Sequence, residues 1–204
     1  MSTLSPPQTQ INSVIALYSN GQIQEALDAV EALIKDYPNE ALLYNISGIC
    51  YKTIGKLDKA VKNFEKAIAI KPDYAEVYYN LGVTLQDLGQ LDAAVKSYEK
   101  ALAIKPDYAE AFNNLGHVYS QLNDYVKAIE SYERGYQINK DLDYIITLCS
   151  PTCVSILKKL SPDYLKVASR DLTNIPLLEA LAETKTPIIL STGIYIIIIF
   201  KFTR

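Results

Sequence analysis

The side chains that could perform chemistry are few and widely spaced along the chain. The 204 residues include a single histidine, His117, and three cysteines, Cys50, Cys149 and Cys153. A metal site needs three or four converging ligands, and no cysteine, aspartate or second histidine lies at helical i+3 or i+4 spacing from His117. Cys149 and Cys153 do not have the Cys-x-x-Cys spacing of redox or zinc sites. We therefore predict no metal, no cofactor and no thiol chemistry.

Composition excludes further classes of function. The 20 basic and 23 acidic residues give a net charge of −3, and no basic stripe is visible that could neutralise a run of phosphates, so a nucleic acid partner is not expected. The apolar run at residues 187–200 is shorter than the ~20 residues that span a bilayer. An odd number of cysteines and an N-terminus without a signal core predict a reducing, cytoplasmic setting.

An exact repeat shows which elements must position these residues. The segment IKPDYAE at residues 70–76 recurs at residues 104–110, an offset of 34 residues. A fixed period of this length is typical of stacked helix-turn-helix units. With Ala75 as the first position of a unit, the chain divides into four repeats: 7–40, 41–74, 75–108 and 109–142.

Small and large residues recur at fixed positions within these repeats. Two helices approach closely only where side chains are small, and large side chains fill the space between the crossings. The small residues are Gly48, Gly82 and Gly116 at the eighth position and Ala26, Ala60, Ala94 and Ala128 at the twentieth. The large residues include Tyr44, Tyr78 and Phe112 at the fourth position and Val30, Phe64, Tyr98 and Tyr132 at the twenty-fourth.

Helix ends are marked with the same period. Gly21, Gly55, Gly89 and Asn123 lie where the first helix of each pair must end in a left-handed residue. Pro38, Pro72 and Pro106 then stop the second helices.

In these residues, and in the tetrapeptides YNLG at 79–82 and NNLG at 113–116, the chain resembles the tetratricopeptide repeat family. The resemblance implies a scaffold that holds a protein or peptide in a concave groove lined by the first helix of each pair. The implied groove residues are Asn45, Ile49, Lys52, Tyr79, Val83, Gln86, Asn113, His117 and Ser120. Members that clamp a C-terminal carboxylate use several basic residues at these positions, and here Lys52 is essentially alone. Asn80 and Asn114 are expected to bond the backbone between neighbouring helices rather than a ligand.

Beyond residue 142 the period ends and the pattern changes. Apolar, β-branched runs predict strands at 143–149, 164–169 and 187–192, and amphipathic stretches predict helices at 151–160 and 176–183. This order is βαβαβ, which is typical of parallel α/β folds.

Three segments in this part, YLKVASRD at 164–171, TNIPLL at 173–178 and TPIILSTG at 186–193, resemble the N-acetylneuraminate (sialic acid) synthase family. That family condenses phosphoenolpyruvate with an N-acetylated amino sugar in a (β/α)8 barrel and uses a divalent metal. By this resemblance Ser150, Lys166, Asp171 and Ser191 would bind the substrate. Three strands of eight cannot close a barrel, so a catalytic site is not expected to be assembled and the metal is expected only for a complete synthase.

The predicted architecture is therefore an α superhelix of antiparallel helix pairs at 7–142, followed by a short βαβαβ fragment of a (β/α)8 barrel at 143–193. The apolar tail at 194–204 does not continue the synthase pattern. We hypothesise that this tail is translated from a shifted reading frame or from a reading frame that ends prematurely. The predicted function is a protein-interaction scaffold that carries a non-functional synthase remnant. The alternative is an enzyme fragment, in which residues 143–193 contribute to a synthase in carbohydrate biosynthesis that another polypeptide completes.

Overall fold

The computed structural model describes residues 6–139 with their side chains, and further along the chain the backbone of four short strands. Residues 6–139 form eight α-helices in this part of the chain. They are α1 Gln8–Ser19, α2 Ile23–Asp36, α3 Ala41–Thr53, α4 Leu57–Ile70, α5 Ala75–Asp87, α6 Leu91–Ile104, α7 Ala109–Gln121 and α8 Tyr125–Ile138. Among the described residues no helix has the length and apolar character needed to cross a bilayer.

Each odd-numbered helix forms a hairpin with the even-numbered helix that follows it. Each of α2, α4 and α6 also packs against the odd helix of the next hairpin, so the four hairpins stack in chain order. Helices α3, α5 and α7 begin at Ala41, Ala75 and Ala109, so the 34-residue offset of the sequence is also the offset of the structure. The predicted α-helical repeat fold is confirmed for this part of the chain.

The two helices of a hairpin meet where a glycine of the odd helix faces an aromatic ring of the even helix. The three glycine–ring pairs are Gly48 with Phe64, Gly82 with Tyr98 and Gly116 with Tyr132. Phe64 and Tyr98 are fully buried. In the first hairpin the equivalent positions hold Val14 and Val30, both buried, so a larger residue at the eighth position accompanies a smaller one at the twenty-fourth.

The turns inside the hairpins adopt the predicted left-handed conformation. The φ angles are 78° at Gly21, 75° at Gly55, 72° at Gly89 and 62° at Asn123, and Asn123 is the one non-glycine residue with positive φ in the described part of the chain. In the third hairpin the Gly89 N–H donates to the Gln86 carbonyl and the Gln90 N–H donates to the Leu85 carbonyl, both at 2.9 Å. This pair of bonds is the Schellman motif, which satisfies carbonyls that the helix end would otherwise leave unpaired.

Replacing Gly89 with alanine tests this conformational requirement. No atom lies within 4 Å of the position that a Cβ would take, so the cost is one of backbone conformation and not of a clash. We expect Gly89→Ala to lower the free energy of unfolding by about 1–2 kcal/mol, because a Cβ disfavours the left-handed region. Gly89→Asn should cost less, since Asn123 adopts the same conformation in the fourth hairpin. Urea unfolding followed by helical circular dichroism measures both, and equal losses would contradict the explanation.

The four strands pair in one sheet in the order β1-β2-β3-β4. They are β1 Ile145–Leu148, β2 Tyr164–Ala168, β3 Ile188–Ser191 and β4 Ile196–Ile199. Strands β1 and β2 pair in parallel, as do β2 and β3, whereas β4 is antiparallel to β3. The first three strands coincide with the predicted ones, and the predicted helices at 151–160 and 176–183 lie outside the described residues.

Strand β4 was missing from the sequence-based prediction. It consists of four consecutive isoleucines, and β-branched residues favour strands. Its antiparallel pairing differs from the all-parallel pattern of a (β/α)8 barrel. The assignment of residues 143–193 to a barrel fragment therefore stays a prediction.

Candidate partner-binding face

The odd helices α1, α3, α5 and α7 lie next to one another and form one face of the array, here called the inner face. The nine predicted groove residues lie on α3, α5 and α7, at the fifth, ninth and twelfth positions of each repeat. Spacings of three and four residues keep these positions on one side of a helix. The inner face is therefore where the structure places all nine.

Polar side chains join neighbouring odd helices in a regular series, which we call the polar ladder. Each contact links a residue to the one 35 positions later, one more than the repeat length, so the fifth position of one repeat meets the sixth of the next and the twelfth meets the thirteenth. The ladder consists of Tyr18–Thr53 at 3.2 Å, Asn45–Asn80 at 3.1 Å, Lys52–Asp87 at 3.2 Å, Tyr79–Asn114 at 3.1 Å and Gln86–Gln121 at 3.5 Å. Because every contact crosses between repeats, the ladder fixes the spacing of the odd helices.

The ladder changes the interpretation of four predicted groove residues, which are Asn45, Lys52, Tyr79 and Gln86. Asn45 is buried, with 6% of its surface exposed, and accepts a hydrogen bond from Asn80. The Lys52 ammonium pairs with the Asp87 carboxylate, and the Gln86 side chain also accepts a bond from the Tyr98 hydroxyl at 3.1 Å. These side chains hold the array together, and they offer less to a ligand than their position alone suggests.

The expectation for Asn80 and Asn114 needs one correction. Both amides have local partners, but these partners are side chains of the preceding repeat and not backbone groups. The Asn80 amide donates to the Asn45 Oδ1, and the Asn114 amide donates to the Tyr79 hydroxyl. The physical reason is the one-residue step of the ladder, which brings the fifth position of one odd helix against the sixth position of the next.

The ninth position forms an apolar row along the inner face, which we call the ninth-position row. It consists of Ile15, Ile49 and Val83, and His117 takes this position in the fourth repeat. Ile15 is 46% exposed, and Ile49 and Val83 are half-buried. The predicted groove residues begin at the second repeat and so do not include Ile15. The ninth position of the first repeat, residues 7–40, would have identified Ile15.

His117 is exposed, at the end of the ninth-position row. Among the described residues no group of three or more histidine, cysteine, aspartate or glutamate side chains could hold a metal ion. Cys50 is a free, buried thiol, and burial raises its pKa. Cys149 and Cys153 lie outside the described residues.

A cluster of tyrosines occupies the third repeat next to the ladder. The Tyr79 ring centroid lies 4.9 Å from that of Tyr108 and 6.0 Å from that of Tyr98. Burial raises the pKa of Tyr79, and the hydrogen bond from Asn114 partly offsets that effect. Tilted ring pairs at these separations are favourable beyond their buried area, so the cluster stabilises the packing of α5 against α6 and against the start of α7.

A second kind of link joins even helices to the odd helix of the next repeat. The Tyr51 hydroxyl donates to the Glu31 carboxylate, and the Tyr119 hydroxyl donates to Glu99 at 3.0 Å. The hydrogen bond to Glu31 is the largest cause that raises the pKa of Tyr51 to about 12, and burial is the second. For Tyr119 burial is the largest cause and the hydrogen bond to Glu99 the second, and its pKa is also raised to about 12. Neither tyrosine lines the inner face, so these bonds are structural.

A cavity of about 250 Å³ lies between α7 and α8, away from the predicted groove residues. Phe112, Leu115 and Tyr119 give it an apolar floor, and Lys127 and Arg134 contribute to its rim. None of the nine groove residues lines it. The cavity is therefore separate from the inner face.

The residues assigned by the synthase resemblance are only partly described. Lys166 lies in β2 and Ser191 lies in β3, and the register places Ser191 opposite Ala168, two residues along β2 from Lys166. Ser150 and Asp171 lie outside the described residues. The structure thus places two of the four on neighbouring parallel strands.

The stacked hairpins, the glycine–aromatic crossings and the continuous inner face define an α-solenoid repeat protein. Family models confirm the particular repeat. A tetratricopeptide repeat model matches residues 73–141, another matches residues 13–40, and a TPR repeat model matches residues 51–89. Together they match more than half of the chain, which therefore belongs to the tetratricopeptide repeat proteins.

Solved structures show the same fold at low sequence identity. A crystal structure of MamA is 21% identical, with a TM-score of 0.61, and the match covers 83% of this chain and 90% of that one. A second MamA crystal structure has a TM-score of 0.62 at 21% identity and covers 87% and 91% of the two chains. MamA MSR-1 is 24% identical, with a TM-score of 0.56 and coverage of 62% and 73%. No curated protein matches the chain.

Proposed function

We propose that this chain is a protein-interaction scaffold that binds a protein or peptide on its inner face. The family and the fold support a role in protein binding, and the inner face supplies the surface for it. The observation that carries the proposal is the ninth-position row, in which Ile15 is 46% exposed and stands in line with Ile49 and Val83. Apolar side chains in a row beside fixed polar groups are what a partner needs for burial and register.

The polar ladder supports the same proposal from the energetic side. A binding face that is ordered before the partner arrives loses less conformational entropy on association. The Lys52–Asp87 and Tyr79–Asn114 contacts order side chains on both sides of Val83. The partner therefore meets a preorganised surface in the middle repeats.

Charge placed in the ninth-position row tests the proposal. The full chain selects binders from a displayed library of random peptides, and the selected peptides are resynthesised for affinity measurements by fluorescence anisotropy. We expect Ile49→Asp with Val83→Asp to weaken binding about tenfold or more, because carboxylates would be desolvated against apolar partner groups. Circular dichroism verifies that the double variant keeps its helices.

A matched control places the same two charges on the even helices. Ala69 and Ala103 are exposed and lie one repeat apart on α4 and α6. Ala69→Asp with Ala103→Asp should leave peptide affinity within about twofold, since neither residue lies on the inner face. Equal losses in both double variants, or no loss in either, would refute the inner face as the binding surface.

For residues 143–193 we keep the synthase resemblance as a second proposal, which rests on the three sequence segments. The parallel pairing of β1, β2 and β3 is common to parallel α/β folds and does not distinguish a synthase from the others. None of the family matches covers these residues. An assay of phosphoenolpyruvate-dependent condensation by the isolated chain separates an enzyme from a scaffold.

A further inference from the structure

The odd helices, which form the inner face, carry more acidic than basic side chains in the described part of the chain. The odd helices hold one basic residue, Lys52, and three acidic ones, Glu76, Asp87 and Glu110. The Lys52 ammonium lies 3.2 Å from the Asp87 carboxylate and neutralises it. Two carboxylates, those of Glu76 and Glu110, are therefore left without an ion-pair partner among the described residues.

These two carboxylates stand on the same side of their helices as the ninth-position row. Glu76 is two helical turns from Val83, and Glu110 is two turns from His117. Both glutamates are exposed. A segment that lies on the apolar side chains of the middle repeats thus passes next to both carboxylates.

A tyrosine precedes each of the two glutamates by two residues, Tyr74 before Glu76 and Tyr108 before Glu110. Burial is the main cause that raises the pKa of Tyr108 to about 12, and the charges of Tyr79, Glu76 and Glu110 add to it. The Lys105 ammonium lies 4.5 Å from the centre of the Tyr108 ring. A cation beside a tyrosine face is attracted by the ring as well as by nearby carboxylates.

The neighbouring lysines leave these carboxylates available. Lys71 and Lys105 both face tyrosine rings, at 4.8 Å from the Tyr74 centre and 4.5 Å from the Tyr108 centre, and neither forms an ion pair in residues 6–139. The other lysines and arginines of residues 6–139 lie mainly on the even helices.

We infer that the partner is a basic, apolar protein segment, whose apolar side chains cover the ninth-position row and whose lysine or arginine side chains reach Glu76 and Glu110. This inference rests on the proposed inner-face function and adds the chemical class of the partner. Charge complementarity selects it, since an acidic segment would bring like charges together at Glu76 and Glu110. Arginine suits the site particularly well, because it pairs with carboxylates and also stacks on aromatic rings.

The experiment selects peptides from a displayed library in which basic and acidic residues are equally frequent, with the full chain as bait. We expect the selected peptides to carry an excess of lysine and arginine next to apolar residues. Glu76→Gln with Glu110→Gln should weaken their binding about fivefold at low salt, in line with the loss of two exposed ion pairs. The difference should shrink as salt screens the charges.

The control removes two carboxylates elsewhere. Glu65 and Glu133 are exposed on the even helices α4 and α8, so Glu65→Gln with Glu133→Gln changes the net charge equally but should leave affinity within about twofold. No excess of basic residues in the selected peptides, or equal weakening in both double variants, would overturn the inference. In that case sensitivity to Val83→Asp would still support the proposed function, whereas selection of no peptide above background would count against both.

Discussion

Replacing Gly82 with valine is expected to lower the free energy of unfolding by about 2–3 kcal/mol, as overpacking of a close-packed core does. A Cβ at this position would lie 2.7 Å from Cε1 and 2.8 Å from Cδ1 of Tyr98. The Tyr98 ring is fully buried, and its hydroxyl donates to Gln86 at 3.1 Å, so a shift of the ring would disturb both the core and this hydrogen bond. The loss should exceed the small gain that valine brings over glycine in helix propensity.

The first hairpin indicates how this loss can be recovered. It places Val14 and Val30 where the third hairpin has Gly82 and Tyr98, and both valines are buried. Tyr98→Val alone should cost about 3 kcal/mol, because it opens a cavity in the core. The double variant Gly82→Val with Tyr98→Val should cost less than the sum of the single losses by about 2 kcal/mol, since residues in contact are coupled.

Urea unfolding followed by circular dichroism measures the three variants in the full chain. Ala103→Val is the control, because it adds a branched side chain at an exposed site of α6 and should cost no more than the helix-propensity difference of about 0.7 kcal/mol. Strictly additive losses in the double variant would show that the glycine and the ring do not compete for the same space.

The helical part of this fold was predictable because its determinants are local and repeated. Single residues indicate single structural features: Gly89 a helix end, Gly82 a close helix crossing and Pro72 the end of a second helix. The 34-residue period repeats each of these features in register. Short apolar runs between turn or helix signals placed β1, β2 and β3. The prediction missed β4, because the isoleucine run was interpreted from its departure from the synthase pattern and not from its β-branched composition.

The candidate site was predicted less completely than the fold. Positions five, nine and twelve follow from helical spacing, but the polar ladder depends on the relative rotation of neighbouring repeats. That rotation shifts each contact from 34 to 35 residues, so Lys52 meets Asp87 and Asn45 meets Asn80. A pattern confined to one repeat contains no information on such a shift. The ion pair between Lys52 and Asp87 could therefore be identified only from the structure. The same holds for the observation that Glu76 and Glu110 have no ion-pair partner among the described residues.

Raising the pH is expected to unfold the array between about pH 10 and 12. The pKa values of Tyr51, Tyr108 and Tyr119 are raised from the ordinary value of 10 to about 12 in the folded chain. In this window the folded state keeps protons that the unfolded state has lost, so stability is fully present below pH 10 and is lost as the pH rises through 12. Each such group contributes a slope of about 1.4 kcal/mol per pH unit at most.

Two pairs of variants isolate the bonds between repeats. Tyr51→Phe with Tyr119→Phe removes two titrating groups, and Glu31→Gln with Glu99→Gln keeps the phenols but removes the carboxylates to which they donate. Both pairs should make the alkaline loss of stability shallower. At neutral pH the two Tyr→Phe changes should lower the free energy of unfolding by about 1 kcal/mol per lost bond, and the two Glu→Gln changes should lower it by less, because the glutamine oxygen still accepts from the tyrosine hydroxyl. Urea midpoints at a series of pH values measure the slope, and absorbance of the ionised phenol follows the titration.

The carboxylate variants decide between two causes of alkaline unfolding. Neutralisation of lysines near pH 10.4 also leaves the array more negative and weakens it through self-repulsion. Removal of any two carboxylates should reduce this self-repulsion slightly and by a similar amount. Glu65→Gln with Glu133→Gln should therefore flatten the slope as much as Glu31→Gln with Glu99→Gln if self-repulsion is the cause. If this control pair flattens the slope as much as Glu31→Gln with Glu99→Gln, general repulsion explains the unfolding. A larger change of slope in Glu31→Gln with Glu99→Gln assigns the alkaline unfolding to the two tyrosine–glutamate bonds. These bonds join α2 to α3 and α6 to α7.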